Sequence, residues 1–222
     1  GVAGVSGNGQ SELLDIIAGI NHLQIGSIRI NDHKITSESR VDAASMRRLG
    51  IAHVPEDRQR IGLVTSFTAS ENIILGYHRD LKYNGLIEMN NDAISKSCLK
   101  QMEHFDVRPL NPLLKASLFS GGNQQKMVLA REIERNTDLL LVGQPTRGVD
   151  IGAIEFIHRQ IIAMRDANKA VLLVSVELDE ILSLSDRILV MFEGQIMGQV
   201  LAKDANERDI GLLMAGISKE TD

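Results

Sequence analysis

A glycine-rich run near the start of the chain has the residue types of a loop that binds phosphate. Residues 4–11 fit the pattern Gly-x-x-x-x-Gly-x-Ser and lie between a short apolar stretch and a segment with helical spacing. Glycines let successive backbone N–H groups converge on phosphate oxygens, and a following helix adds its positive N-terminus. The usual phosphate loop has a lysine before its serine, whereas this chain has Gln10, which carries no charge. These residues alone leave a plain strand-to-helix turn open beside a phosphate loop.

A second run suits the same chemistry. Residues 120–126 read Ser-Gly-Gly-Asn-Gln-Gln-Lys, which places a hydroxyl, bare backbone N–H groups and a predicted helix start together. This combination suits an anionic phosphate. An ordinary N-capped helix is the alternative that the residue types leave open.

The composition excludes several other classes of protein. Of the 222 residues, 43% are hydrophobic and 24% are charged, as in an ordinary globular chain and unlike a disordered one. A net charge of −5 and an aromatic content of 3% argue against a nucleic-acid-binding surface. No apolar run approaches the roughly 18 residues of a membrane span, and no basic-then-apolar leader begins the chain. The single cysteine, Cys98, excludes a disulfide framework and a Cys-based zinc site.

Short apolar strands alternate with helical segments on both sides of a long helical stretch. Helices are predicted at 12–19, 154–166 and 177–184, and strands at 26–30, 51–54, 139–142, 170–175, 187–192 and 195–200. This alternation predicts an α/β fold with a largely parallel sheet. We predict a core of residues 1–68 and 137–222 and a helical lobe of residues 69–136.

Four segments together resemble one family. Residues 119–126 resemble the signature motif of ATP-binding cassette (ABC) ATPases, in the form typical of sugar and nucleoside importers. Residues 139–150 (Leu-Leu-Leu-Val-Gly-Gln-Pro-Thr-Arg-Gly-Val-Asp) resemble the family's second phosphate-site strand and the loop after it. Residues 174–178 resemble its switch segment, and residues 51–58 (Ile-Ala-His-Val-Pro-Glu-Asp-Arg) the segment that links nucleotide to the transmembrane partner. The resemblance covers essentially the whole chain and is greatest to the second cassette of double-cassette importers, in the nucleoside branch.

The resemblance implies an ABC-cassette P-loop NTPase fold, with a RecA-like nucleotide-binding core and an inserted helical signature subdomain. It implies ATP and Mg²⁺ as ligands, with Ser11 as the candidate metal ligand. Asp150 matches the family's loop aspartate that crosses the dimer interface, and Glu56 stands where the family has a glutamine. The implied nucleotide-binding residues are Gly4, Ser6, Gly7, Asn8, Gly9, Gln10, Ser11, Glu12, Glu56, Ser120, Gly121, Gly122, Asn123 and Asp150.

Four positions that carry hydrolysis in the family are changed together. Gln10 replaces a lysine, Gly143 and Gln144 replace the aspartate and glutamate of the second strand, and Val176 replaces a histidine. Phosphoryl transfer needs charge stabilisation and a positioned water. The changes therefore predict a phosphate site that binds and hydrolyses ATP poorly in the isolated chain. The unchanged signature predicts that this chain completes an ATP site whose phosphate loop belongs to another cassette.

The resemblance also implies partners. These are the first cassette of the same polypeptide or a second ATPase subunit, transmembrane permease subunits, and indirectly a substrate-binding lipoprotein. The expected location is the cytoplasmic face of the plasma membrane, with no nucleic acid as a partner, and the chain is expected to be a fragment. The alternative is a soluble, non-transport ABC ATPase of the ribosome- or DNA-repair-associated type, although such proteins usually keep their catalytic residues.

Overall fold

The computed structural model describes residues 1–39, 41–85, 87–135 and 137–217. By contacts, the chain divides into two units. Unit 1 contains Gly1–Glu56, Asp138–Gln144 and Ile161–Asp222, and unit 2 contains Asp57–Thr137 and Pro145–Gln160.

Unit 1 is built on a six-stranded sheet. The strands of the chain are β1 (Val2–Ala3), β2 (Ser27–Ile30), β3 (His33–Thr36), β4 (Ile51–Val54), β5 (Leu139–Gly143), β6 (Ala170–Ser175), β7 (Arg187–Phe192) and β8 (Gln195–Leu201). The sheet has the order β4-β5-β6-β1-β7-β8, and only the β7–β8 pair is antiparallel. The predicted, largely parallel sheet is therefore confirmed. β2 and β3 form a separate antiparallel pair.

The helices are α1 (Gln10–Ile17), α2 (Ala43–Arg48), α3 (Ala69–Ile73), α4 (Asn91–His104), α5 (Gly121–Ile133), α6 (Ile151–Asp166), α7 (Leu178–Leu184) and α8 (Glu207–Met214). In unit 1, Leu14 of α1 and Met46 of α2 are buried in one cluster with Leu141 and Val174 of the sheet. Apolar strands such as β5, buried along most of their length, are typical of parallel sheets with covered faces. This packing places the N-terminus of α1 just beyond the carboxyl end of β1.

Helices α3, α4 and α5 form the centre of unit 2. Three large side chains here are fully or almost fully buried: Met102 on α4, Phe105 at the C-terminal end of α4, and Met127 on α5. In the described part of the chain, no helix combines the length and the apolar character that crossing a bilayer requires.

The division by contacts differs from the predicted division of core and lobe. Residues 57–68 and 145–160 were predicted to belong to the core, and they are grouped with the helices of unit 2. One reason is that the Arg58 guanidinium donates to the carbonyls of Arg147 and Gly148. In addition, the side-chain amide of Gln59 donates to Gln124 Oε1 on α5. Hydrogen bonds between residues 65 to 90 positions apart cannot be read from local sequence patterns.

Two helices begin earlier than predicted, for local reasons. α1 begins at Gln10 because Gly9, with φ of 102°, is its N-cap residue, and a left-handed backbone there favours glycine. α6 begins at Ile151, where Asp150 Oδ1 accepts a hydrogen bond from the Ala153 amide. The predicted hairpin turn is confirmed, since both Glu193 and Gly194 have positive φ.

Candidate functional site

The predicted site residues form two groups, one in each unit. Residues 4–12, 56, 143, 144 and 176 belong to unit 1, whereas residues 120–123 and 150 belong to unit 2. We describe the two groups in turn.

The backbone of residues 4–11 forms an open loop at the start of α1. Gly7 and Gly9 have φ of 89° and 102°, and the Asn8 amide donates to the Val5 carbonyl. Asn8 also fixes the loop to the β7–β8 turn, since its side-chain and main-chain oxygens accept from the amides of Glu193 and Gly194. A side chain on Gly9 would lie 3.0 Å from Gly194 Cα. Packing within the protein thus favours glycine at position 9, whereas a side chain at position 7 would meet no neighbouring atom.

The side chain of Gln10 turns back into the loop. It is 5% exposed, and its Nε2 donates to the Val5 carbonyl at 3.3 Å. A Cβ on Gly4 would lie 1.7 Å from that nitrogen, so the amide rests against the Gly4 backbone. In this position the side chain hydrogen-bonds the loop itself, where a lysine would carry charge toward a phosphate.

Ser11 faces a carboxylate. Its hydroxyl donates to Glu56 Oε2 at 2.6 Å. Gly143, at the end of β5, makes room for that acid, because a Cβ there would lie 2.5 Å from Glu56 Cγ and 2.9 Å from Leu14 Cδ1. The carboxylate nearest the Ser11 hydroxyl therefore comes from residue 56, and residue 143 supplies none.

Gln144 and Val176 are joined by a hydrogen bond. Gln144 has φ of 46°, its amide donates to the Val174 carbonyl at 2.8 Å, and its Oε1 accepts from the Val176 amide at 3.3 Å. A side-chain amide held in this way is a poor base for a water molecule, since it has no carboxylate to accept a proton.

Acidic side chains lie near one another at this end of unit 1. Burial raises the pKa of Asp15, and the charges of Glu56 and Glu12 raise it further. Residues 4–12 contain no lysine or arginine. A polyphosphate would therefore meet backbone N–H groups without a cation from the loop.

The signature group in unit 2 has a polarised hydroxyl. Ser120 is the N-cap of α5, and its Oγ accepts from the Asn123 amide at 3.4 Å and from Asn123 Nδ2 at 2.9 Å. Asn123 Oδ1 accepts from the Arg108 amide at 2.7 Å. Because the hydroxyl oxygen accepts both bonds from Asn123, its hydrogen remains available as a donor, and Ser120 is exposed at the N-terminus of α5.

The two signature glycines are required by close packing on residues 148–150. A Cβ on Gly121 would lie 2.7 Å from Gly148 O, and a Cβ on Gly122 would lie 2.7 Å from Asp150 Oδ2. Gly148 itself has φ of 64°. The structure therefore brings together Ser120, both glycines, Asn123 and Asp150 within unit 2.

Sequence reasoning missed a charged cluster beside the signature. Asp106 bonds Arg108 Nε at 2.9 Å and Lys126 Nζ at 3.1 Å, and these bonds, Arg108's first, lower the pKa of Asp106. With Asn123 and Asp150 the three side chains line a cavity of about 310 Å³. Lys126 belongs to the quoted signature, but nothing in the sequence pattern pointed to the other two.

The groups present fit ATP and Mg²⁺ unequally. Ser11 and Glu56 supply a hydroxyl and a carboxylate oxygen, which are donor types that Mg²⁺ accepts. Within the described residues, no three His, Cys, Asp or Glu side chains are grouped to hold a metal ion. The exposed N-cap serine of α5, with its hydroxyl hydrogen available, fits a phosphate group well, whereas the uncharged loop of residues 4–11 fits one only through its backbone.

Comparison with known proteins gives consistent matches. Residues 1–147 match the family described as ABC transporter. The chain is 44% identical over 220 residues to the guanosine import ATP-binding protein NupO of Bacillus subtilis, covering 99% of this chain and 42% of that protein. It is 46% identical over 218 residues to the nucleoside import ATP-binding protein NupA of Lactococcus lactis, covering 97% and 42%. The chain thus spans about two fifths of the length of these curated relatives.

Solved structures agree on the fold. The chain matches a dimeric ATP-binding cassette bound to ADP and Pi, with a TM-score of 0.74 at 24% identity, over 90% of this chain and 84% of that one. A nucleotide-free ATP-binding cassette from an ABC transporter gives a TM-score of 0.74 at 23% identity, over 96% and 82%. The predicted cassette fold is confirmed by these likenesses.

Proposed function

Since this chain belongs to the ABC transporter family, we propose that it is the ATP-binding component of an importer of nucleosides or simple sugars. Two relatives, at 44% and 46% identity, are named for guanosine and nucleoside import, and this supports the nucleoside branch. We propose further that the chain corresponds to the second cassette of a double-cassette protein. Its match to only 42% of each relative is consistent with one cassette of two.

The contrast between the two groups of site residues carries the proposal. In unit 2 Ser120 is exposed at the N-terminus of α5, and its hydroxyl hydrogen is available to an anion. In unit 1 the Gln10 side chain is turned inward and Ser11 is paired with an acid. The chain therefore contributes its signature to an ATP molecule whose phosphates are held by the loop of a partner cassette, and its own phosphate site contributes little hydrolysis.

The proposed partners follow from this role. The partner cassette is the first cassette of the same polypeptide or a second ATPase subunit. Transmembrane permease subunits bind the pair at the cytoplasmic face of the plasma membrane, and a substrate-binding lipoprotein acts through the permease. In unit 2, Phe67 and Leu118 are exposed apolar side chains on two short segments joined by backbone hydrogen bonds, and they offer a contact surface for the permease.

ATP and Mg²⁺ are the proposed ligands of this chain's own loop as well. Ser11 and Glu56 would supply oxygen atoms near the metal, and the backbone amides of Gly7 and of residues 9–11 would be available to the phosphates, since the Asn8 amide donates to the Val5 carbonyl. With no loop cation and no carboxylate at positions 143 and 144, the isolated chain is expected to bind ATP weakly and to hydrolyse it barely above background.

The test compares the two groups in the intact importer. Gly121→Asp places an acid against an anionic phosphate and is expected to abolish ATP-driven uptake, whereas Gln10→Ala is expected to reduce uptake less than about threefold, because little chemistry remains to lose at that site. Uptake and ATPase rates are measured in membranes that contain the permease, at matched expression. If Gln10→Ala silences uptake as completely as Gly121→Asp does, this chain's own loop drives the cycle and the proposal is wrong.

A further inference from the structure

Two neighbouring residues at the start of unit 2, Arg58 and Gln59, bond two segments beside the signature, the loop of residues 147–150 and helix α5. Asp57 fixes the backbone that carries them, because its Oδ1 accepts hydrogen bonds from the backbone amides of Gln59 and Arg60 at 3.1 and 3.0 Å. These bonds begin a short π-helical segment, Arg58–Gly62. As a result, the backbone carrying Arg58 and Gln59 is held in a defined turn.

The Arg58 guanidinium binds two successive carbonyl groups. Its Nη1 donates to Arg147 O at 2.6 Å and its Nη2 donates to Gly148 O at 3.0 Å. Its Nε is buried and has no hydrogen-bond partner among the described residues. Burial lowers the pKa of Arg58, but a guanidinium stays charged at neutral pH. A planar fork that bonds two adjacent carbonyls fixes the orientation of the chain that carries them, which a single ammonium cannot do.

One of these carbonyls, that of Gly148, lies against the signature. A Cβ on Gly121 would lie 2.7 Å from both Arg58 Nη2 and Gly148 O. On the other side of this contact, Gly122 packs on Asp150. The loop of residues 147–150 is therefore contacted by Arg58 and by the first turn of α5.

Gln59 fixes α5 from the same turn. Its Nε2 donates to Gln124 Oε1 at 3.0 Å. The side-chain amide of Gln124 in turn donates to the carbonyls of Ala116 and Phe119, two residues that precede the signature serine. Arg58 and Gln59 thus connect the loop of residues 147–150 and the signature to one short segment.

We propose that Arg58 is a positioning residue that holds the loop of residues 147–150 in register with the signature, so that Ser120 and Asp150 are presented to the partner cassette as one surface. This inference rests on the proposed function, because it assigns Arg58 to the surface that completes the partner's ATP site. Arg58 touches no nucleotide in this role and acts through the backbone of Arg147 and Gly148. Its replacement should therefore affect turnover in the closed site more than the affinity for ATP, which the partner's loop supplies.

The first measurement uses the 222-residue chain alone. The Val149 amide donates to Thr146 O within the loop, and its hydrogen exchange reports on loop order. Loss of two charge-assisted bonds in Arg58→Ala is expected to speed that exchange by roughly tenfold, and Arg58→Lys, which can reach only one carbonyl, by less. Arg60→Ala, an exposed arginine in the same turn, is the matched control and should change nothing. Should Arg58→Ala fail to fold, the exchange rate of the Val149 amide in Arg58→Lys tests the proposal in its place.

The second measurement uses the importer and separates kcat from KM. Arg58→Ala is expected to lower the ATPase kcat by roughly tenfold with KM for ATP changed less than about twofold, and Arg58→Lys should recover part of kcat. Gly121→Asp is run beside it. If Gly121→Asp leaves ATPase unchanged, the proposed function has failed, and exchange at residue 149 alone decides whether Arg58 holds the loop. If Gly121→Asp silences ATPase while Arg58→Ala changes neither exchange nor kcat, the positioning role is wrong.

Discussion

A glycine at position 143 leaves space for the Glu56 side chain. A Cβ there would meet Glu56 Cγ at 2.5 Å, Leu14 Cδ1 at 2.9 Å and the Glu56 amide nitrogen at 3.1 Å. Gly143→Ala is therefore expected to lower the free energy of unfolding by about 1–3 kcal/mol through overpacking, measured by urea denaturation. The Ser11–Glu56 hydrogen bond should be lost or lengthened in the same variant.

A double-mutant cycle identifies the cause of that loss. In the Glu56→Ala background the Cγ is gone, so Gly143→Ala should cost less than it does alone. An equal cost in the two backgrounds would show that Glu56 is not what excludes a side chain at position 143.

Asn123 links two neighbours through the two ends of its amide. Its oxygen accepts from the Arg108 amide and its nitrogen donates to Ser120 Oγ. Asn123→Ala should lower the free energy of unfolding by about 1–2 kcal/mol, since the Arg108 amide loses its acceptor. Asn123→Asp keeps that acceptor and should cost less at neutral pH. Unfolding midpoints of the two variants check this order, and a larger loss for Asp than for Ala would contradict it.

Reciprocal hydrogen bonds between the N-cap residue Thr68 and Glu71 close the start of helix α3. Thr68 Oγ1 accepts from the Glu71 amide, and Glu71 Oε2 accepts from the Thr68 amide and hydroxyl at 2.7 Å each. The Thr68 amide first, and then its hydroxyl, lower the pKa of Glu71. A carboxyl whose pKa is lowered by folding stabilises the fold above its unfolded pKa, and this contribution is lost as pH falls through the folded pKa.

Thr68→Ala is thus expected to cost about 1 kcal/mol near neutral pH. The difference from the unsubstituted chain should narrow in acid, once Glu71 is protonated. Thr68→Ser keeps the hydroxyl and serves as the control. Thermal unfolding of the three proteins from pH 7 to pH 3 measures the effect, and a difference that widens in acid would be inconsistent with this account.

Local sequence patterns predicted the helices and strands better than they predicted the contacts between them. The strands β6 and β7 have the predicted bounds, because apolar runs closed by turn residues define them. The signature serine was predicted at a helix start, where Ser120 caps α5. By contrast, the π-helical turn at Arg58–Gly62 has no sequence pattern that would reveal it. The meeting of Glu56 with Ser11 depends on packing between segments 45 positions apart. The inward turn of Gln10 depends on the conformation of the loop that it folds against, and residue types alone could not predict either contact.

At the scale of the whole molecule, the two groups of site residues predict an asymmetric importer. Under the proposed function, one composite site uses the partner's phosphate loop with this chain's signature, and the other uses this chain's own loop. Because only the first is expected to turn over, the importer should trap about one ADP per pair of cassettes with vanadate, which replaces the cleaved phosphate. The ratio of trapped nucleotide to protein measures this number directly.

Substitution of the changed positions tests whether the second composite site can be repaired. Gln10→Lys alone should leave the trapped ratio near one, because the added cation meets a site with no carboxylate at positions 143 and 144 and no histidine at 176. Adding Gly143→Asp, Gln144→Glu and Val176→His is expected to raise the ratio toward two, since these groups act as a unit. The crowding of Glu56 against position 143 predicts that the combined variant is less stable than the unsubstituted protein, so its melting temperature is measured first. A ratio near two with Gln10→Lys alone would mean that the missing lysine was the sole defect and that the other three changes are without consequence for hydrolysis.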